Sequence, residues 1–189
     1  MAKASASDIN KANKIATLSL IREREAISRA DLARLTGLSA PTITRVVDSL
    51  IHGEKLVVEK GPGESSGGRR PNLVAFDGEN HYIIGVDLGT TTIAAVLANL
   101  NSQAIAEAAE PTRKEAGLGD VMRRTAELIE RLIRQSGIAR RKICGIGLAV
   151  AGLVNRQRRI LEVSPVFQWK DVDVAAELRR YVDLPVIFD

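Results

Sequence analysis

Two short amphipathic patterns separated by a glycine stand out near the start of the chain. The first pattern opens with Ser28 and Asp31, the spacing of a capping box, and Gly37 supplies the left-handed residue that ends a helix. The second begins at Ser39, and its apolar residues recur at the i, i+3, i+4, i+7 spacing of a helix with one buried face: Ile43, Val46, Val47 and Leu50. The patterns predict two helices joined by a tight turn.

The side of the second helix away from that stripe is polar, and most of its polar residues fall in the N-terminal half. We predict that the DNA-contacting residues of this helix are Ser39, Pro41, Thr42, Thr44 and Arg45. A helix in the DNA major groove presents such a face, because its N-terminal side chains reach the base edges. An ordinary helical hairpin with a solvated face is the alternative that this stretch leaves open.

The residues that follow the helix pair favour DNA binding. Strand-like runs over residues 56–60 and 72–76 flank the loop GPGESSGGRRP, which is rich in turn formers. Two helices followed by a β-hairpin form a winged helix-turn-helix. Arg69 and Arg70 lie in the predicted wing, where they suit phosphates or a narrow minor groove.

An earlier helix is predicted over residues 8–24, with Ser7 or Asp8 as its cap. Its apolar stripe consists of Ile15, Leu18 and Ile21, which are predicted to pack against the next two helices. The aperiodic segment from Asp77 to Asn80 predicts a domain boundary, which gives domains at residues 1–76 and 77–189.

Charge divides the chain at nearly the same place. Residues 1–70 carry 12 Lys and Arg against 8 Asp and Glu, whereas residues 71–189 carry 15 of each. All of the net charge of +4 therefore lies on the predicted DNA-binding domain, as neutralisation of phosphates requires. A modest positive charge also serves solubility, so the charge supports the interpretation without deciding it.

The composition excludes several other classes of protein. The single cysteine, Cys144, rules out an internal disulfide and a cysteine-based zinc cluster, and its apolar neighbours predict a buried thiol. The N-terminus lacks the apolar core of a signal peptide, and the longest run without a polar side chain, residues 145–154, is too short to span a bilayer. These features predict a cytoplasmic protein without a membrane partner.

The second domain opens with a buried strand over residues 81–87 that ends in a carboxylate. Asp87 is followed by Gly89, Thr90 and Thr91, and a further strand begins at Thr92. Such a hairpin is one way to hold a nucleotide phosphate, with backbone N–H groups and hydroxyls on the oxygens and the carboxylate near Mg²⁺. A plain β-hairpin is the alternative. The later order of helices and strands predicts an α/β layer with a largely parallel sheet.

Several collinear segments of the chain resemble the transcription-regulator branch of the ROK family (repressors, open reading frames and sugar kinases). SRADLARLTGLSAPTITRVVDSLIHGEKLVVEKG with GGRRP resembles its winged helix, and IIGVDLGTTT resembles the phosphate hairpin that opens its actin-like domain. GIGLAVAGLVN is similar to its second glycine motif, and SPVFQWKDVDVAAELRRYVDLPVIFD to the stretch leading to its sugar site. The resemblance covers almost the whole chain.

The resemblance implies a sugar-responsive repressor of carbohydrate genes that binds double-stranded operator DNA. It implies an α/β chain overall, with a winged helix-turn-helix followed by the first part of an actin-like domain of the sugar kinase and chaperone ATPase type. The full-length parent is expected to be a homodimer whose effector is a small sugar or sugar phosphate. Gly152 and Trp169 would form one wall of the sugar site.

Departures from the family pattern limit the enzymatic interpretation. The family's kinases have Gly-Gly-Thr where this chain has Gly89, Thr90 and Thr91, and Pro-Gly where it has Ala151 and Gly152. The sequence stops at Asp189, just before the pair that supplies the kinases' catalytic base. We therefore expect a C-terminally truncated regulator that is not an enzyme, with a vestigial hairpin, no cofactor and no metal. An ATP-dependent sugar kinase with an accessory DNA-binding domain is the alternative.

Overall fold

The chain divides into two units, residues 1–77 and residues 78–189. The computed structural model describes residues 5–63 and 71–188. In the first unit a three-stranded antiparallel sheet of order β1-β3-β2 accompanies three helices. The elements of this unit are α1 (Ala6–Glu23), β1 (Ile27–Ser28), α2 (Arg29–Thr36), α3 (Ala40–Asp48), a π-helical turn (Ser49–Gly53), β2 (Val57–Pro62) and β3 (Asn72–Phe76).

The first helix differs from its prediction at its cap and along its buried face. Ser5 is the cap, since its hydroxyl accepts from the Asp8 N–H while the Asp8 carboxylate accepts from the Ser5 N–H. Ile21 is fully buried, but Ile15 is 57% exposed. Six residues turn a helix through about 600°, so these two side chains point about 120° apart. Thr17 takes the buried position, and its hydroxyl donates to the Asn13 carbonyl at 2.8 Å.

The core of the first unit lies between the helices and the short sheet. On α3, Ile43 and Val47 are fully buried, and Leu50 in the following π-turn extends the same apolar face. Val46 lies half-buried at the edge of that face. Among the described residues, the buried members of this hydrophobic cluster are Ile21, Ile27, Leu32, Ile43, Val47, Leu50, Val57 and Val74.

The second unit is built on a five-stranded mixed sheet, in place of the largely parallel sheet predicted. Its order is β11-β7-β4-β5-β6, in which β4, β5 and β6 run antiparallel and β7 and β11 join in parallel. A smaller antiparallel sheet has the order β10-β9-β8. The elements are β4 (Tyr82–Leu88), β5 (Thr92–Asn99), β6 (Ala104–Pro111), α4 (Leu118–Ser136), β7 (Ile143–Val150), β8 (Leu153–Asn155), β9 (Ile160–Ser164), β10 (Trp169–Val172), α5 (Val174–Arg179) and β11 (Val186–Phe188).

One face of the large sheet carries the core, and the other is largely exposed. Alternate residues such as Ile84 on β4 and Leu148 on β7 are buried in the cluster that includes α4. On the opposite face Asp87 and Ala149 are exposed. Cys144 is also exposed, contrary to its predicted burial, because it occupies the register shift between β4 and β7. No helix in the described residues is both long and apolar enough to cross a bilayer.

Two substitutions on α1 test its revised orientation. Ile21→Ala should lower the free energy of unfolding of the first unit by about 2–5 kcal/mol, because it leaves a cavity among fully buried side chains. Ile15→Ala is the matched control and should change that free energy by less than about 0.5 kcal/mol. Native-state hydrogen exchange, read on peptides from residues 5–63, measures both. Equal losses for the two variants would contradict the orientation of α1.

Candidate nucleic-acid interface and hairpin site

The turn between α2 and α3 sets the direction in which α3 leaves α2. Gly37 ends α2 in the left-handed conformation, with φ of 69°, and Pro41 lies in the first turn of α3. Pro is tolerated there because first-turn N–H groups have no partner within the helix. Ser39 occupies the cap position, but its side chain makes no capping hydrogen bond. Its hydroxyl lies 2.9 Å from that of Thr42 instead.

The outer face of α3 presents the predicted DNA-contacting residues to solvent. Pro41, Thr44 and Arg45 are exposed, and Thr42 is half-buried. The Thr44 hydroxyl donates to the Ala40 carbonyl at 3.0 Å, which leaves its methyl group and an oxygen lone pair for an external partner. Among the described residues, no hydrogen bond or ion pair engages the guanidinium of Arg45. The structure therefore gathers these side chains on one accessible surface. Arg69 and Arg70 lie outside the described residues.

Two cations that the sequence patterns did not single out hold the C-terminal end of α3. Arg29, the first residue of α2, donates to the Asp48 carboxylate at 2.9 Å and to the Glu59 carboxylate at 3.2 Å. Lys14 on α1 donates to the Ser49 hydroxyl at 3.0 Å and also pairs with Glu54. The hydrogen bond from Lys14 holds the pKa of Glu54 below its usual value. These contacts tie α3 to α1, α2 and β2 at the end opposite its exposed N-terminal half.

In the second unit, the predicted phosphate hairpin forms a tight turn between β4 and β5. The Gly89 N–H donates to the Thr92 carbonyl at 3.1 Å, and a Cβ at position 89 would lie 2.7 Å from that oxygen. Only glycine therefore fits this turn. Thr90 and Thr91 are exposed, while Asp87 lies exposed on the sheet face opposite α4.

A buried threonine, also missed by the sequence patterns, anchors this hairpin. The Thr112 hydroxyl donates to the Gly89 carbonyl at 2.7 Å, and the Thr112 N–H donates to the Thr91 carbonyl at 2.9 Å. Arg124 on α4 donates in turn to the Thr112 carbonyl at 2.9 Å and to the Glu110 carboxylate at 2.8 Å. The hairpin is thus bonded to Thr112, the residue that follows β6, and α4 in turn bonds Thr112 through Arg124.

The two residues predicted for the sugar wall have different surroundings. Gly152 packs its backbone against β9, where a Cβ would lie 2.6 Å from both the Leu161 side chain and the Val163 carbonyl. Trp169 is only 7% exposed and stacks on Phe167 with ring centroids 4.4 Å apart. Its ring belongs to the hydrophobic core, and its part in a sugar wall stays a prediction. Among the described residues, no group of three or more His, Cys, Asp or Glu side chains has metal-binding geometry.

A mixed α/β unit with one helical face, preceded by a helical unit with a short sheet, defines the architecture. The profile of the ROK family matches residues 83–189, and the chain belongs to that family. The resemblance noted in the sequence is therefore confirmed at the level of the family.

Xylose repressors from other organisms align with nearly the whole chain. A xylose repressor of Caldicellulosiruptor bescii is 31% identical over 94% of this chain and 44% of its own length. A xylose repressor of Bacillus spizizenii is 30% identical over 96% of this chain and 46% of its own length. The chain thus spans about half the length of the curated relatives it matches.

A solved structure shares the fold of the described residues. The crystal structure of a ROK family transcriptional regulator, a homologue of the E. coli MLC protein, superposes with a TM-score of 0.79 at 22% identity. The match covers 95% of this chain and 45% of that one.

Thr112→Val tests the anchoring of the hairpin. Valine has nearly the shape of threonine but cannot donate to the Gly89 carbonyl, so the free energy of unfolding of the second unit should fall by about 1–3 kcal/mol. Hydrogen exchange read on peptides from residues 78–188 gives this value. The matched control, Thr90→Val, alters an exposed side chain of the same hairpin and should be close to neutral. If Thr112→Val is also neutral, its hydroxyl does not hold the turn.

Proposed function

We propose that this chain carries the DNA-binding and effector-coupled part of a sugar-responsive transcriptional repressor. Its first unit acts as a winged helix-turn-helix, with α3 as the recognition helix in the major groove of operator DNA. The observation that carries this proposal is the outer face of α3, on which Pro41, Thr44 and Arg45 are exposed and Arg45 makes no ion pair among the described residues. Two relatives that match nearly the whole chain are named xylose repressors, which supports the same function.

The order of elements in the first unit supports the winged form of this motif. The helices α2 and α3 are separated only by residues 37–39, and the antiparallel pair β2 and β3 follows them. We propose that the residues between these two strands form the wing. Arg69 and Arg70 would contact phosphates there, as the sequence predicts.

Each exposed group on α3 has a chemical counterpart on DNA. The planar guanidinium of Arg45 matches the O6 and N7 acceptors of guanine, and the methyl group of Thr44 matches the methyl group of thymine. Ser39 and Thr42 carry short hydroxyl side chains at the N-terminus of α3, where base edges or phosphates are within reach. We assign direct base readout to Arg45 and Thr44 and supporting contacts to the other two.

For the whole protein we propose a sugar effector and a regulatory, non-enzymatic role. The names of the repressor relatives make a pentose such as xylose the first effector to test. We propose that Gly152, which keeps the turn after β7 close to β9, and Trp169, which is held by its stacking on Phe167, form one wall of the sugar site of the whole protein. Asp87 and the hairpin at Gly89, Thr90 and Thr91 would be a vestigial phosphate site.

Arg45→Ala tests the recognition helix. Binding to a DNA sequence enriched from a random library by the unaltered chain should weaken by about 1–3 kcal/mol, since one bidentate base contact is lost. When the base pair that Arg45 reads is substituted, the affinity of the Arg45→Ala variant should not fall any further. Fluorescence anisotropy with enriched and single-substituted duplexes measures both effects.

Arg134→Ala provides the matched control. It removes the same charge from an exposed position on α4 in the second unit, and it should leave affinity for the enriched DNA unchanged. An equal loss of affinity for every DNA sequence would reassign Arg45 to phosphate contact. Unchanged affinity of Arg45→Ala would contradict the assignment of α3.

A further inference from the structure

Arg29 is placed where helix stability does not favour a cation. It is the first residue of α2, directly after the cap residue Ser28. The N-terminus of a helix is the positive end of its dipole, so an arginine there is unfavourable unless other contacts compensate. The contacts that it makes are therefore informative about its role.

The guanidinium of Arg29 joins three elements of the first unit. One terminal nitrogen donates to Asp48, the last residue of α3, at 2.9 Å, and the other donates to Glu59 on β2 at 3.2 Å. The Nε atom is buried and has no hydrogen-bond partner among residues 5–63 and 71–188. The two carboxylates thus take up both terminal nitrogens, and the planar group fixes the direction of each bond.

The ion pairs themselves add little to stability. The side chains of Asp48 and Glu59 are about half exposed, and exposed ion pairs of this kind are weak because of solvent screening. The guanidinium of Arg29 bonded to both carboxylates, called the fork below, instead fixes the relative position of the two elements that carry them. It links the end of α3 to the strand that leads into the loop between β2 and β3.

We propose that Arg29 is a positioning residue for DNA recognition, which sets the orientation of α3 relative to β2 through its fork on Asp48 and Glu59. This inference rests on the proposed function of the first unit. With the fork in place, the outer face of α3 and strand β2 are held in one arrangement that matches the duplex. Without it, the elements stay folded but that arrangement is no longer fixed.

One substitution distinguishes positioning from a general effect of charge, because the two predict opposite changes in DNA affinity. Asp48→Asn removes a negative charge from the proposed DNA-binding unit and replaces the charge-assisted bond from Arg29 by a weaker, neutral one. Coulomb attraction alone would therefore tighten binding to any DNA. Loss of positioning predicts the opposite for the enriched sequence. Asp31→Asn is the matched control, because Asp31 is as exposed as Asp48 and its ion pair with Arg34 lies within α2. Hydrogen bonds from Arg34 and Ser28 hold the pKa of Asp31 below its usual value, so this control also removes a full charge at neutral pH.

The test uses the full chain, the DNA sequence that it enriches from a random library, and a scrambled duplex of the same composition. Asp48→Asn should weaken binding to the enriched sequence by about tenfold and leave binding to the scrambled duplex unchanged or tighter. Asp31→Asn should weaken binding to neither duplex.

Arg29→Lys keeps the charge but cannot form the fork, so it should lose specificity as Asp48→Asn does, with an unchanged salt dependence of affinity. The double variant Arg29→Lys with Asp48→Asn should lose no more affinity than Asp48→Asn alone, because both changes weaken the same set of hydrogen bonds.

Other outcomes would overturn the proposal. If Asp48→Asn tightens binding to both duplexes, the charge matters and the fork does not. Arg29→Met removes the charge as well as the hydrogen bonds, so if it lowers the salt slope by about one, Arg29 contacts a phosphate. Should either single variant lose its far-ultraviolet circular dichroism at the binding temperature, the fork is a folding element and the positioning role is rejected. An unaltered chain that enriches no sequence would overturn the proposed function itself.

Discussion

The burial of one face of α3 determines what the first unit offers to a partner. Ile43 and Val47 are fully buried, so the rotation of α3 about its axis is fixed by the hydrophobic core. That rotation leaves Thr44 and Arg45 exposed. Any DNA contact by these residues therefore depends on apolar packing that never touches DNA. The bonds from Arg29 to Asp48 and Glu59 fix something different, the orientation of the C-terminal end of α3 relative to β2.

Close backbone packing has the corresponding role in the second unit. Gly89 and Gly152 lie where a Cβ would come within 2.7 Å and 2.6 Å of neighbouring atoms, so both turns are held tightly against adjacent segments. Thr112 and Arg124 fix the first of these turns by hydrogen bonds, and Trp169 stacks on Phe167 in the core. The two hydrogen bonds from Thr112 hold the hairpin against the residue that follows β6.

Periodic features could be predicted from the sequence, whereas features that depend on distant partners could not. The stripe of α3 follows from helical spacing alone, and three of the segments that resemble the ROK family lie within residues 83–189, which its profile matches. The predicted burial of Ile15 was wrong because a spacing of six residues drifts around the helix. The burial of Trp169 could not be predicted, because it depends on stacking with Phe167 and on the core around it. Arg29 bonds residues 19 and 30 positions away, and Thr112 bonds one 23 positions away, which no local pattern indicates.

Chemical protection of the enriched DNA is the most direct test of α3 as a recognition helix. Dimethyl sulfate methylates guanine N7 in the major groove and adenine N3 in the minor groove, so it reports which groove the protein occupies. Our account predicts protection of a guanine N7 within the enriched sequence, and loss of that protection in Arg45→Ala while neighbouring protections persist. Protection confined to adenine N3, or a guanine protection unaffected by Arg45→Ala, would contradict it.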